Sequence, residues 1–243
     1  MSTPENVEAA EDPAASPFAR VAGVFGSPGP TFASIARRPG WVLPIVIATL
    51  LSIAATAAVL PRMDFDTAVR ERLAARGVTM AEERVERIVE AQKKFSGLGY
   101  VWALLANLVI TFVLAIVFWV SFKAFGWDLA FRQSFGITSH ALLPYIGASM
   151  LLILFVTRLD LVNPADLGDL THSNLGFLVD RHEHPALHSL AASIDVFTFW
   201  VLGLLVIGFA IAARVPRKKA AILILSLWGL FVLGKVGFAV LFR

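Results

Sequence analysis

The sequence predicts an all-α, polytopic membrane protein: a bundle of five transmembrane helices with amphipathic helices lying in the interface. Two observations carry this. Five apolar stretches, near residues 41–60, 98–125, 137–157, 194–213 and 220–242, are each long enough to cross a bilayer. A hydrocarbon core of about 30 Å needs roughly 20 helical residues at about 1.5 Å each. The second observation is composition: 57% of the 243 residues are hydrophobic and the mean hydropathy is +0.73, outside the range of an ordinary soluble domain. Residues 17–243 are expected to form one membrane domain behind a disordered tail, residues 1–16.

Composition also bears on function. There are no cysteines, which excludes disulfides, thiolate metal sites and cysteine catalysis. The net charge of +3 reflects Lys and Arg in loops and helix ends, where membrane topology signals sit, so nucleic acid is not an expected partner. No nucleotide-binding glycine loop, serine–histidine arrangement or intramembrane aspartate pair is present, so no catalytic or cofactor-binding residue is assigned. The first residues are acidic (Glu5, Glu8, Glu11, Asp12), the reverse of a signal-peptide n-region, and the first span is expected to act as an uncleaved anchor.

Along the chain, Pro17 to Arg38 shows apolar residues at helical spacing on either side of a Gly/Pro break: Phe18, Val21, Val24 and Phe25, then Phe32 and Ile35. Pro30 suits the first turn of the second piece, where a missing N–H costs nothing. Two amphipathic helices in the interface plane are expected, followed by a turn at Pro39 and Gly40 into Trp41. Residues 62–97 predict an extramembrane helical hairpin divided at Gly77, with helices near 66–76 and 80–94. Thr79 and Glu82 have the spacing of a capping box, Glu83–Arg87 and Glu90–Lys94 are i,i+4 pairs, and Val85, Ile88, Val89 and Phe95 form an apolar stripe.

Orientation follows from Lys and Arg in short loops. Lys123 and Arg132 lie between spans two and three, and Arg214, Arg217, Lys218 and Lys219 between spans four and five, so these loops and Arg20, Arg37 and Arg38 are expected in the cytoplasm. The loop 158–193 is acid-rich and is expected outside, which gives an inside N-terminus and an outside C-terminus. The Arg-rich hairpin 62–97 is then outside too, against the positive-inside rule.

Polar groups inside spans are the natural candidates for chemistry, because a mid-helix charge costs about 2.5–3.5 kcal/mol to insert. Asp195 and Lys235 lie at similar depth in the last two spans, and an ion pair or water-bridged contact clamping that hairpin is expected. In span three Pro144 deprives the His140 carbonyl of its helical donor, which predicts a kink. His140 is either a hydrogen-bonded core residue or part of a polar pocket facing Asn107 or Thr111 of span two. In the outer loop His184 and His188 stand four apart, and with His182 they are a candidate divalent-metal site lacking the general-base glutamate of a zinc hydrolase. Arg37, Arg38, Arg217, Lys218 and Lys219 suit contact with anionic lipid or a cytoplasmic partner.

Several segments together resemble the YIP domain (Ypt/Rab-interacting proteins), in its bacterial branch. They are Phe25 to Phe32, Arg38 to Trp41 with Pro44, Ala141 to Tyr145, and Ser193 to Trp200 with its Asp195, Phe197 and Trp200. The resemblance covers roughly residues 18–240 and implies an integral membrane protein without established enzymatic chemistry, here in a bacterial cytoplasmic membrane. Eukaryotic relatives are linked to Rab GTPases and to vesicle trafficking or membrane shaping. The Asp-Leu-Tyr-Gly-Pro motif of those relatives is missing, so Rab binding is not carried over. The leading expectation is a non-enzymatic protein that organises membrane or binds partners through its cytoplasmic face. The alternative is a small transporter or channel using His140, Asn107 and Lys235.

Overall fold

A computed structural model describes residues 16–75, 77–181 and 183–241. The expected tail therefore lies outside the described residues except for Ser16, whose hydroxyl accepts from the Ala19 N–H at 3.0 Å and caps the first helix. The helices are α1 (Pro17–Gly26), α2 (Pro28–Arg37), α3 (Val42–Val59), α4 (Phe65–Ala75), α5 (Glu82–Ser96), α6 (Leu98–Ala124), α7 (Phe131–Ala141), α8 (Tyr145–Val156), α9 (Pro185–Ala191), α10 (Val196–Ala212) and α11 (Arg217–Leu241). Four stretches are long and apolar enough to cross a membrane: Val42–Arg62, Leu98–Ala124, Phe131–Val156 and Arg217–Leu241. The fifth apolar helix, α10, has 17 residues and a length of about 25 Å.

Short as it is, α10 is central. It packs on α2, α7, α8 and α11 and buries Leu204, Leu205 and Phe209 in the main core. Phe118 and Phe122 of α6 close on Phe209 with ring centroids 5.0 Å apart. The third span starts at Phe131, six residues earlier than the apolar run suggests. Polar Gln133 and Ser134 interrupt that run but are used inside the fold. Gln133 Oε1 takes the Ala130 N–H at 3.0 Å, its Nε2 donates to Ala36 O at 2.9 Å, and Ser134 Oγ donates to Ala115 O at 2.7 Å. Pro144 separates α7 from α8 as expected. The His140 carbonyl it deprives accepts instead from the Leu143 N–H at 3.2 Å, a tightened 3₁₀-type turn.

Both helices expected in residues 17–38 form, with the break at Ser27, and they make an antiparallel hairpin packed beside α10. Gly23 allows the arms to close: a Cβ there would lie 2.3 Å from Thr31 Oγ1. Phe32 and Ile35 are fully buried in the main core. Phe25, at the tip, meets Trp200 edge-on with centroids 5.6 Å apart. Trp200 lies 12 residues before Ala212, the last of α10, or about 18 Å along that helix. The apolar face of α2 is covered by protein, as is Val24 of α1, whereas Phe18 and Phe25 of α1 stay exposed. Pro28 and Pro30 fit a tip so placed. A helix start normally leaves four N–H groups without helical acceptors, whereas here two are absent and the Ser27 N–H bonds Gly23 O at 2.8 Å.

At the opposite end the two extramembrane segments are stitched together. The Asp64 N–H donates to Val162 O at 2.9 Å, the Val162 N–H to Arg62 O at 2.7 Å, and Asn163 Nδ2 to Glu71 Oε2 at 2.6 Å. The Arg-rich hairpin and the acidic loop therefore share one end of the bundle. Gly77 (φ +62°) turns α4 into α5, and Val69, Val85 and Val89 pack between them, while Phe95 is exposed. The expected capping box is not formed: Ala81 is the N-cap of α5, and Glu82 reaches across to Arg70, which also bonds Asp66. Neither Glu83–Arg87 nor Glu90–Lys94 is an ion pair among the described residues. The pairing with Arg70 lowers the Glu82 pKa and raises that of Arg70. Asp64 caps α4, accepting from the Thr67 N–H at 3.0 Å and the Thr67 hydroxyl at 2.7 Å. These bonds, the N–H first, lower its pKa.

Candidate functional sites

The intramembrane polar groups are each used locally. His140 is 2% exposed, and its Nδ1, 2.8 Å from Gly136 O, carries the proton of that hydrogen bond. Asn107 does not face it: its Nδ2 donates to Ser52 Oγ at 2.9 Å, joining α6 to α3. The expected polar pocket shared by His140 and Asn107 is thus absent among the described residues, because Asn107 lies on the face of α6 that packs on α3. Thr138, fully buried one turn ahead of Ala141, has a hydroxyl with no partner among the described residues. Among the clefts formed by the described residues are two open ones of about 320 Å³ each, and neither of these is lined by His140, Asn107 or Lys235.

Asp195 and Lys235 do not pair. Asp195 is the N-cap of α10, its Oδ1 accepting from the Thr198 N–H at 2.8 Å. Lys235 Nζ donates to Ser193 Oγ at 3.0 Å. The depth match was sound, since Lys235 does tie α11 to the start of α10. A helix beginning directly after Asp195, however, turns the carboxylate to its own first turn. The Asp195-to-Thr198 spacing ahead of an apolar run is the signal that could have shown this.

In the loop, His184 is the residue ahead of α9 and His188 lies within it, its Nε2 2.9 Å from Asp169 Oδ2. Arg181 Nη2 meets the same oxygen at 2.6 Å. Among the described residues no three His, Asp or Glu side chains gather to hold a metal, and His182 lies outside them. The helix starts at Pro185, directly after His184, and His188 bonds Asp169.

The basic residues collect at the end away from the hairpin and loop. Arg37, Arg38, Arg217, Lys218 and Lys219 are exposed there, together with Lys123, Arg132 and Arg214. One charge of this set is not exposed. Arg20 of α1 is 7% exposed and donates Nη1 to Arg38 O at 2.8 Å, tying the open end of the hairpin. Sequence reading placed Arg20 with the topology signals and missed this role.

Segments far apart in the chain converge on α10. Tyr145, just after Pro144, places its hydroxyl 3.1 Å from Thr198 Oγ1, one turn above the Asp195 cap. Phe197 packs on Gly147, where a Cβ would lie 2.7 Å from its Cε1. Trp200 meets Phe25. These contacts fix helices to one another and gather no reactive groups. The fold and these groups define a polytopic integral membrane protein whose polar residues hold helices together.

The Yip1 domain matches residues 22–238, and the chain belongs to that family of generally non-enzymatic membrane proteins. No curated protein and no solved structure matches it.

Proposed function

We propose that this protein organises membrane, without enzymatic chemistry, by holding anionic lipid at its basic end. The observation that carries this reading is the dispersal of the groups a transport path would need. His140 bonds its own helix, Asn107 bonds α3 and Lys235 bonds the start of α10, and the two clefts described above are lined by none of them. What remains open to a partner is a rim of exposed cations at one end, Arg38, Arg217, Lys218 and Lys219 among them, each worth about 1 kcal/mol against an anionic surface. The family's link to vesicle trafficking supports an organising role.

In this reading α10 is a fifth crossing, the basic end faces the cytoplasm of a bacterium, and the α4–α5 hairpin and the 158–193 loop lie outside. The excess of Lys and Arg at the end that carries Arg217, Lys218 and Lys219 supports that orientation.

The test is lipid enrichment. Protein excised in polymer discs from vesicles mixing phosphatidylglycerol and phosphatidylcholine is expected to carry an anionic excess. A variant with Arg217→Gln, Lys218→Gln and Lys219→Gln is expected to lose most of it. Equal lipid composition for both proteins, or ion flux through reconstituted protein abolished by His140→Ala, would overturn the proposal in favour of transport.

A further inference from the structure

One of the two clefts is built unlike a gap between helices. It opens between α3, α6 and α7 beside the basic end, with a volume of about 320 Å³, within the range of small-molecule sites. Trp41, Phe112, Phe131 and Phe135 form its walls, and Leu108 lines it as well. The rings brace one another. Trp41 meets Phe135 at 5.3 Å and Phe112 meets Phe131 at 5.7 Å, both edge-on, and Phe131 stacks on Phe135 at 6.0 Å. Edge-on and offset pairs of this kind hold aromatic walls in place. Trp41 and Phe112 remain 41% and 47% exposed, so the cleft faces the lipid side of α3 and α6.

Arg132 lines the same cleft. It is exposed and makes no ion pair or hydrogen bond among the described residues. The nearest acid in sequence, Asp128, lies 3.5 Å from Lys123, and no Asp or Glu lines the cleft. Pro39, which does line it, follows Arg38 directly. An apolar slot open to hydrocarbon, with an uncompensated guanidinium at its polar end, has two complementary requirements: a chain for the rings and an anion for the fork.

The geometry points to a binding site for one anionic phospholipid, with its phosphate on Arg132 and the upper part of an acyl chain between Trp41 and Phe112. A guanidinium takes a phosphate through two parallel N–H donors. A free phosphate would satisfy the arginine and leave the slot unfilled, whereas a zwitterionic lipid would bring its own cation to the same place. The inference rests on the reading that the basic end contacts anionic lipid, but it concerns a discrete site rather than the diffuse rim.

The test is native mass spectrometry of the full chain in detergent, titrated separately with dioleoyl phosphatidylglycerol and dioleoyl phosphatidylcholine. The wild type is expected to retain one phosphatidylglycerol with about tenfold preference, the scale of one charge-assisted contact. Arg132→Gln is expected to bring retention to the phosphatidylcholine level, and Phe112→Trp, which fills the slot from an exposed position, to weaken both lipids. The site is overturned if Arg132→Gln keeps the preference, if Phe112→Trp changes nothing, or if inorganic phosphate alone displaces the lipid. Carrying Arg217→Gln, Lys218→Gln and Lys219→Gln separates the two proposals. That variant is expected to lose bulk anionic enrichment in discs while still retaining the single tightly held lipid.

Discussion

Gly208 of α10 lies against Phe32 of α2 so closely that a Cβ on the glycine would sit 2.9 Å from Phe32 Cδ1 and 2.5 Å from Ile137 Cγ2. That approach is where the inserted hairpin, the third span and the central helix meet. Gly208→Ala must therefore push apart three packed elements, and overpacking of this kind costs about 1–3 kcal/mol. Gly203, five residues earlier on the same helix, has open space at its Cβ position. Gly203→Ala is expected to be neutral or slightly stabilising, because alanine is the better helix former. Thermal unfolding in detergent compares the two variants. Equal effects would mean that the hairpin does not press on α10.

The roles of Asp195 and Lys235 predict independence. Asp195→Ala removes the cap of α10 and is expected to cost about 1 kcal/mol, whereas Asp195→Asn, which caps equally well, is expected to cost a few tenths. A double-mutant cycle pairing Asp195→Asn with Lys235→Met should give a coupling within about 0.5 kcal/mol of zero. A coupling well above that would restore the ion pair. Chemical denaturation in detergent supplies the four stabilities.

The separate partners of these two residues also show how far the sequence reached. Depth along α10 and α11 followed from residue counting, and Lys235 does reach the right level. Which acceptor it finds depends on where α10 begins, and apolar runs define helix ends only to within a turn or two. The same holds at Phe131, hidden because Gln133 and Ser134 look like loop residues until their acceptors on α2 and α6 are known. The break at Ser27 was legible from its glycines and prolines. Periodicity shows that Phe32 and Ile35 share a face, but cannot say whether lipid or protein covers it. The Arg132 cleft joins residues from three elements distant in sequence, and no local pattern announces it.

Acid should loosen the α4–α5 hairpin before the bundle. Asp64 has its pKa lowered by the Thr67 N–H and hydroxyl, and Glu82 by Arg70. A carboxylate whose folded pKa is depressed stabilises fully above its unfolded value, near 3.8 for Asp64, and that contribution is lost as pH falls through the lower folded value. Amide exchange over residues 65–75 should rise, relative to the intrinsic rate, only below about pH 4. In Asp64→Asn the part of that rise due to residue 64 should vanish. A rise centred near neutrality would contradict the assignment.

A lipid-holding role for the basic end requires that it and the α4–α5 hairpin lie on opposite sides of the bilayer, with the tip of the α1–α2 hairpin within it. Since the chain has no cysteine, each introduced thiol is the only one. Labelling single variants in sealed vesicles with a membrane-impermeant maleimide is the most direct measurement. Arg38→Cys and Lys218→Cys should react from one face, Glu86→Cys and Asp160→Cys from the other, and Ser27→Cys from neither until detergent is added. Reaction of Ser27→Cys at the rate of Arg38→Cys, or of Glu86→Cys from the same face as Lys218→Cys, would contradict the account.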